Sequence, residues 1–267
     1  MSSVQAETQE ERPILVSVEN GVATLILNRP RQYNSLTIAM LEELRRQLTA
    51  LGEDQDVRVI VIEARGKAFS AGHDLREVRS SESRDFHDRL FAACSEMMLT
   101  INRVPQPVIA KVQGLATGAG CQLVAACDLA IASDDARLAT SGINVGLFCS
   151  TPSVAVSRNV STKRAMEMLL TGDFIDADTA AEIGLINRAV SADALDGEVA
   201  ELAAKIAAKA PTALRMGKQM FYRQLGMVLP EAYRYASSVM TENLAAEDAR
   251  EGIDAFLEKR EPRWRRS

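Results

Sequence analysis

Histidine is nearly absent from this chain: His73 and His87 are the only two in 267 residues, too few for a histidine-based metal centre. The four cysteines (Cys94, Cys121, Cys127, Cys149) form no Cys-x-x-Cys pair, and three sit in apolar surroundings. Buried free thiols are expected, not disulfides or a metal site. Basic residues are not in excess: 31 Lys and Arg against 36 Asp and Glu leave a net charge of −5. That balance argues against general nucleic-acid or anionic-membrane binding, and RNA binding gains no support from it. No apolar run reaches the roughly 20 residues that span a bilayer. The first dozen residues carry Glu7, Glu10 and Glu11 and lack the features of a signal or transit peptide. Residues 1–12 read as a disordered N-terminus, and the protein as cytoplasmic.

What is present fits an ordinary globular chain, 47% hydrophobic and 25% charged. Asn20-Gly21 between two alternating apolar runs is a hairpin signal. Thr37 caps a helix with apolar positions Met40, Leu41, Leu44 and Leu48. A strand is expected over Val57 to Ile62, with Arg58 exposed, and then a small-residue loop leads into a short helix at Asp74. Arg84 to Arg103 has the spacing of an amphipathic helix, stopped by Pro105 and Pro107.

The stretch that organises the chain is Val108 to Ala132. A short apolar strand is followed by Gln113-Gly114-Leu115-Ala116-Thr117-Gly118, which turns the chain into a buried helix from Ala119. A helix whose first turn is built from Gly118, Ala119 and Gly120 leaves its backbone N–H groups unshielded, and with the helix dipole these make a site for negative charge. After it come further short strands and helices. From Pro211 to Lys259 only amphipathic helices remain, so an α/β body carries a helical tail. A dinucleotide loop over Gly118-x-Gly120 is the rival reading, but its third glycine is missing.

Gly66-Lys67-Ala68-Phe69-Ser70-Ala71-Gly72-His73-Asp74-Leu75, followed by Gly114-x-Ala116-x-Gly118-Ala119-Gly120-Cys121-Gln122-Leu123, resembles the enoyl-CoA hydratase/isomerase (crotonase) superfamily. Asn28-Arg29-Pro30, Ala180-x-x-Gly184-Leu185 and Glu251-Gly252 match in the expected order. Gly118–Ala126 and Gly142–Pro152 are similar to the branch named for enoyl-CoA hydratase domain-containing protein 3. The resemblance implies a spiral of β-β-α units over residues 13–205 and a helical trimerisation subdomain over 206–267, assembled as a homotrimer or dimer of trimers. It implies an acyl-CoA thioester as substrate or ligand, with no further cofactor. By position, the N–H groups of His73 and Ala119 would hold the thioester oxygen as an enolate. Lys67, Ala68, Ala71, Asp74, Leu75 and Lys259 would line the ligand, with Lys259 either near the CoA phosphates of a neighbouring subunit or simply a solvated charge.

The chain departs from that pattern where hydratases carry two glutamates, since Gln122 and Gly142 stand there instead. An amide orients water but takes no proton, and glycine does neither. Asn144 and Cys149 lie on the following loop as substitutes, Cys149 either a nucleophile or an inert buried thiol. The His73 imidazole either faces the acyl pocket or only packs. Two functions stay open: an acyl-CoA enzyme (lyase, isomerase or thioesterase) lacking the glutamate pair, or a non-catalytic acyl-CoA-binding or assembly protein.

Overall fold

The computed structural model describes residues 12–264; apart from Arg12, the expectation for the N-terminus lies outside them. β1 (Ile14–Glu19) and β2 (Val22–Leu27) pair antiparallel about Asn20 and Gly21, whose φ values of 51° and 77° are those of a type I′ turn. In α1 (Ile38–Glu53) the Thr37 hydroxyl accepts the Met40 N–H at 3.2 Å, and the expected apolar stripe is buried, extended by Leu51.

The chain then repeats one unit three times: a strand in a large sheet, a short strand in a small sheet, and one or two helices. The first unit is β3 (Val59–Ala64), β4 (Ala68–Ser70), α2 (Leu75–Arg79) and α3 (Arg84–Arg103). The second is β5 (Val108–Val112), β6 (Leu115–Thr117) and α4 (Ala119–Ala126). The third is β7 (Leu129–Ser133), β8 (Arg137–Ala139), α5 (Ser150–Val156) and α6 (Thr162–Thr171). A closing unit, β9 (Ile175–Asp176), α7 (Ala177–Glu182) and β10 (Arg188–Val190), reverses the strand order. The large sheet runs β1-β2-β3-β5-β7-β10, parallel except for β1; the small one runs β4-β6-β8-β9, parallel except for β9.

Both faces of the large sheet are covered, which is why β3 opens on the apolar run Val59–Ile62 and β5 on Val108–Ala110, while Glu63 and Lys111 beyond them pair with each other. Leu25, Ile60, Ile62, Val108 and Ala110 meet α1, α3 and α4 in the main core. Val59, Val61, Ile109 and Ile131 meet Leu195, Val199 and Ala203 of α8 (Leu195–Ala207) on the other side. The boundary expected at 205/206 therefore falls in the last turn of a helix packed on the sheet. The strandless helices α9 (Pro211–Gln224), α10 (Leu229–Ala245) and α11 (Glu247–Glu258) follow.

Two local expectations change. Residues read as turn or loop, Ala68–Ser70 and Leu115–Thr117, are strands of the small sheet. Three small residues are too short to show a period of two, so only their neighbours in the sheet make them strands. β3 starts at Val59, and Arg58 precedes it, half-buried, donating to the Lys209 carbonyl at 2.7 Å.

Candidate active site

Because β4, β6 and β8 are parallel neighbours, the segments that leave their C-terminal ends emerge side by side, where ligands of parallel sheets bind. The three corners are residues 71–75, 118–122 and 140–149. Gly118 N–H donates to the Ala139 carbonyl at 2.9 Å, and the Thr117 and Ser141 hydroxyls lie 2.6 Å apart. These bonds tie the second corner to the third.

Gly72 presses the first corner onto the second. Its φ is +81°, and a Cβ there would stand 2.7 Å from the Thr117 carbonyl oxygen and 2.9 Å from Ala119 N. Only glycine fits both the backbone angle and the gap. On the other side, Leu36 N–H donates to Gly72 O at 2.7 Å and Asp74 N–H donates to Leu36 O at 3.1 Å. In that parallel bridge the His73 N–H points away from Leu36. Ala119 opens α4, so its N–H has no acceptor within the helix, and no side chain caps Gly118. Gly120 is needed for a different reason: a Cβ there would overlap the Ser70 carbonyl, so its absence lets α4 lie flat on β4.

The side chains around these amides are uncharged or already engaged. His73 packs edge-on against Phe91, centroids 5.6 Å apart, with both ring nitrogens buried and neither in a well-formed hydrogen bond. Burial lowers its pKa, opposed only weakly by the Leu36 backbone, so the imidazole is neutral at pH 7. Gln122 is 4% exposed, and its Oε1 accepts from the Cys94 thiol at 3.8 Å. At Gly142 the space for a side chain is taken. A Cβ would stand 2.7 Å from the Leu147 carbonyl oxygen and 2.8 Å from Cys149 Sγ. The Gly142 N–H donates to that sulfur at 3.3 Å. Burial raises the Cys149 pKa against this hydrogen bond, which leaves a thiol and not a thiolate.

Two other residues expected near the ligand are occupied by structure. Asn144 donates to the Gly172 carbonyl at 3.3 Å. Asp74 caps α2, accepting from the N–H groups of Arg76 at 3.1 Å and Glu77 at 3.4 Å, while Ser35 and Arg29 hold its other oxygen. Burial raises its pKa, but the Ser35, Glu77 and Arg76 hydrogen bonds and the Arg29 charge outweigh it and hold the carboxylate below its usual range. Ala68 is buried, with its carbonyl receiving Asn34 Nδ2 at 2.8 Å, and Ala71 N–H donates to Tyr33 O at 2.9 Å. Lys67 and Leu75 are both exposed, but Leu75 lies beyond the C-terminal end of β4 with the three corners, whereas Lys67 precedes the strand and lies at its other end, beside Gly114. Lys259 caps α11 in the left-handed conformation, φ 54°, and among the described contacts none joins it to the three corners.

Sequence reasoning missed two features. One is an open groove of about 490 Å³ between Leu75 and Val78 on one side and Val145 and Leu147 on the other. Its signal was the apolar run Val145, Leu147, Phe148 in a segment with no helix or strand pattern. The other is a polar clamp at the far end of α4. Asp128 accepts from Val108 N–H at 2.7 Å and Tyr222 OH at 2.7 Å, and pairs with Lys218 Nζ at 2.6 Å. Lys218 also donates to the carbonyls of Ile101 at 2.7 Å and Gln106 at 2.8 Å. No motif announces it, because its members lie about a hundred residues apart.

The enoyl-CoA hydratase/isomerase family model matches residues 17–267. The chain belongs to this family. It is 46% identical over 257 residues to the mouse "Enoyl-CoA hydratase domain-containing protein 3, mitochondrial", covering 96% of this chain and 86% of that one. A putative enoyl-CoA hydratase of Thermus thermophilus is 36% identical, covering 94% of this chain and all of its own length. Among solved structures, an enoyl-CoA hydratase of Mycobacterium smegmatis superposes with a TM-score of 0.94 at 53% identity, covering 95% of this chain and 99% of that one. Human enoyl-CoA hydratase domain-containing protein 3 gives 0.92 at 45% identity, covering 95% and 100%. These matches support both the crotonase fold of β-β-α units and the narrower likeness to that branch. They also correct one expectation. The mouse, rat, frog and human relatives are all named mitochondrial, which conflicts with a purely cytoplasmic reading. The charge of a dozen terminal residues does not decide the compartment. Among the described residues no helix is long and apolar enough to cross a membrane, and no group of three metal-ligating side chains occurs.

Proposed function

We propose that this family member binds acyl-CoA thioesters, with the thioester oxygen between the N–H groups of His73 and Ala119, and does not hydrate enoyl-CoAs by a two-glutamate route. The observation that carries the reading is Gly72, whose missing Cβ lets the first corner pack against the Ala119 amide. Two preorganised N–H donors stabilise an oxygen most when it gains charge, so an enolate is favoured over the resting thioester. The hole needs backbone alone, and histidine and alanine supply it as well as any residue.

The proton chemistry is what this site lacks. Gln122 and the Gly142–Cys149 contact place an amide and a protonated thiol where hydratases hold carboxylates. Neutral His73 is the remaining group with a suitable ordinary pKa, and its nitrogens are shut away beside Phe91. Water can be oriented here, but no base is open to take its proton, since the His73 nitrogens are buried and the Asp74 carboxylate is engaged by Ser35, Arg29 and the start of α2. Those same observations favour a second reading, acyl-CoA binding without turnover. Purified protein tested against a panel of acyl-CoAs, with affinity and turnover measured together, separates the two. Turnover of any acyl-CoA would overturn the second reading. Rapid hydration of crotonyl-CoA would overturn both by requiring a base that neither reading allows, and failure to bind any thioester would also overturn both.

The same reading includes a homotrimer or dimer of trimers. Phe256 is 82% exposed, Leu257 71%, Leu229 70% and Tyr233 68%, all on α10 and α11. So much apolar surface on adjacent helices calls for cover. Sedimentation at micromolar concentration tests it, and a monomer mass would refute it.

A further inference from the structure

The groove beside the three corners has a definite shape and a definite chemistry. Leu75 stands two residues beyond His73, and Leu147 belongs to the loop whose carbonyl lies over Gly142. The groove is therefore walled by the segments that continue from the first and third corners, beside the place assigned to the thioester. Leu75 is 55% exposed, Val145 61% and Leu147 52%, apolar faces left in water on the free chain. Its polar rim is paired within itself. Arg79 meets Glu82 at 3.4 Å, and His87 Nε2 lies 3.3 Å from the Val78 carbonyl. No cation on that rim stands uncommitted to receive a second carboxylate.

We infer, resting on the acyl-CoA reading above, that this groove takes the hydrocarbon tail of a medium- to long-chain acyl thioester. A methylene is comparable in size to a water molecule's share of the liquid, about 30 Å³, so 490 Å³ accommodates on the order of ten carbons with room unfilled. Being open along its length, the groove sets no sharp upper limit. Short acyl groups would leave the apolar walls wet, and dicarboxylic tails would desolvate a charge without a partner.

Competition binding with acetyl-, butyryl-, octanoyl- and dodecanoyl-CoA, kept below micelle concentrations, tests this. A fully buried methylene is worth about fourfold in affinity, and a half-covered one about twofold. Affinity should therefore rise on the order of a hundredfold from butyryl- to dodecanoyl-CoA. Val145→Asp should lower the dodecanoyl-to-butyryl affinity ratio about tenfold, and Val145→Leu should preserve it. Hexanoyl-CoA should bind more tightly than adipoyl-CoA. Equal affinity across chain lengths would overturn the inference while leaving the thioester site intact, and so would preference for adipoyl-CoA. Absence of binding to every thioester would overturn the acyl-CoA reading and this inference together.

Discussion

The two ends of α4 are built to opposite rules. At its N-terminus, Gly118 offers no capping side chain, and the Ala119 N–H has no partner within the helix. At its C-terminus the polar groups are engaged: the Ala126 carbonyl accepts Asn102 Nδ2 at 3.1 Å, and Asp128 gathers Val108, Lys218 and Tyr222 around it. One end leaves a backbone donor without a helical partner, and the other uses its polar groups to hold α3, β5 and α9 together. A helix of eight residues is only about 12 Å long, so fixing one end also fixes where the other points.

The largest effect should come from breaking the engaged end. Lys218→Met leaves the half-buried Asp128 carboxylate without its cation and the Ile101 and Gln106 carbonyls without their donor, and stability should fall by about 3–5 kcal/mol in chemical denaturation. A loss near zero would mean that the clamp is incidental. Next, Ala119→Pro removes the N–H at a helix position where proline is sterically at home. Affinity for an enolate-like thioester analogue should drop about 10²–10³-fold, and affinity for CoA itself far less. Gly72 lies close to that nitrogen, so a thermal melt must first show the variant folded; equal losses for both ligands would place the hole elsewhere.

A smaller effect is expected from Tyr222→Phe, which deletes one hydrogen bond to a carboxylate and should destabilise by about 1.5–3 kcal/mol, less than the lysine variant. The reverse ranking would make the tyrosine, not the ion pair, the centre of the clamp. The smallest effect concerns the missing carboxylates. Gln122→Glu with Gly142→Glu should raise crotonyl-CoA hydration only slightly, although general acid–base catalysis contributes about 10²–10⁴-fold when well placed. Backbone strain is not the obstacle, because Gly142 is not among the positive-φ residues. The obstacle is the Leu147 carbonyl and Cys149 Sγ, which fill the position. Adding Cys149→Ala should increase the gain, and a triple variant no better than the double would show that the loop, not the sulfur, sets the limit.

Much of this was legible in the residues. Asn20-Gly21 fixed the hairpin, Thr37 the start of α1, and Gly118-Ala119-Gly120 the bare helix end, since each acts through bonds to near neighbours in the chain. That positions 122 and 142 carry no carboxyl group was equally legible, because side-chain identity is a matter of composition. The strands β4 and β6 were not, for three-residue segments carry no period and become strands only beside β8. Nor was the part played by Gly142 and Cys149, where backbone folding brings a thiol into a glycine's empty space seven residues back.

By itself, then, the sequence determined which local turns, caps and helices could form and which positions carry no ionisable group, for those follow from side-chain identity and short-range geometry. The tertiary structure alone decided that three separate corners meet, that Gly72 touches Ala119, and that a lysine on α9 closes the far end of α4. Such contacts join residues up to 117 positions apart; the stacking of successive sheet strands brings the corners together, and the packing of α9 on α3 closes the clamp.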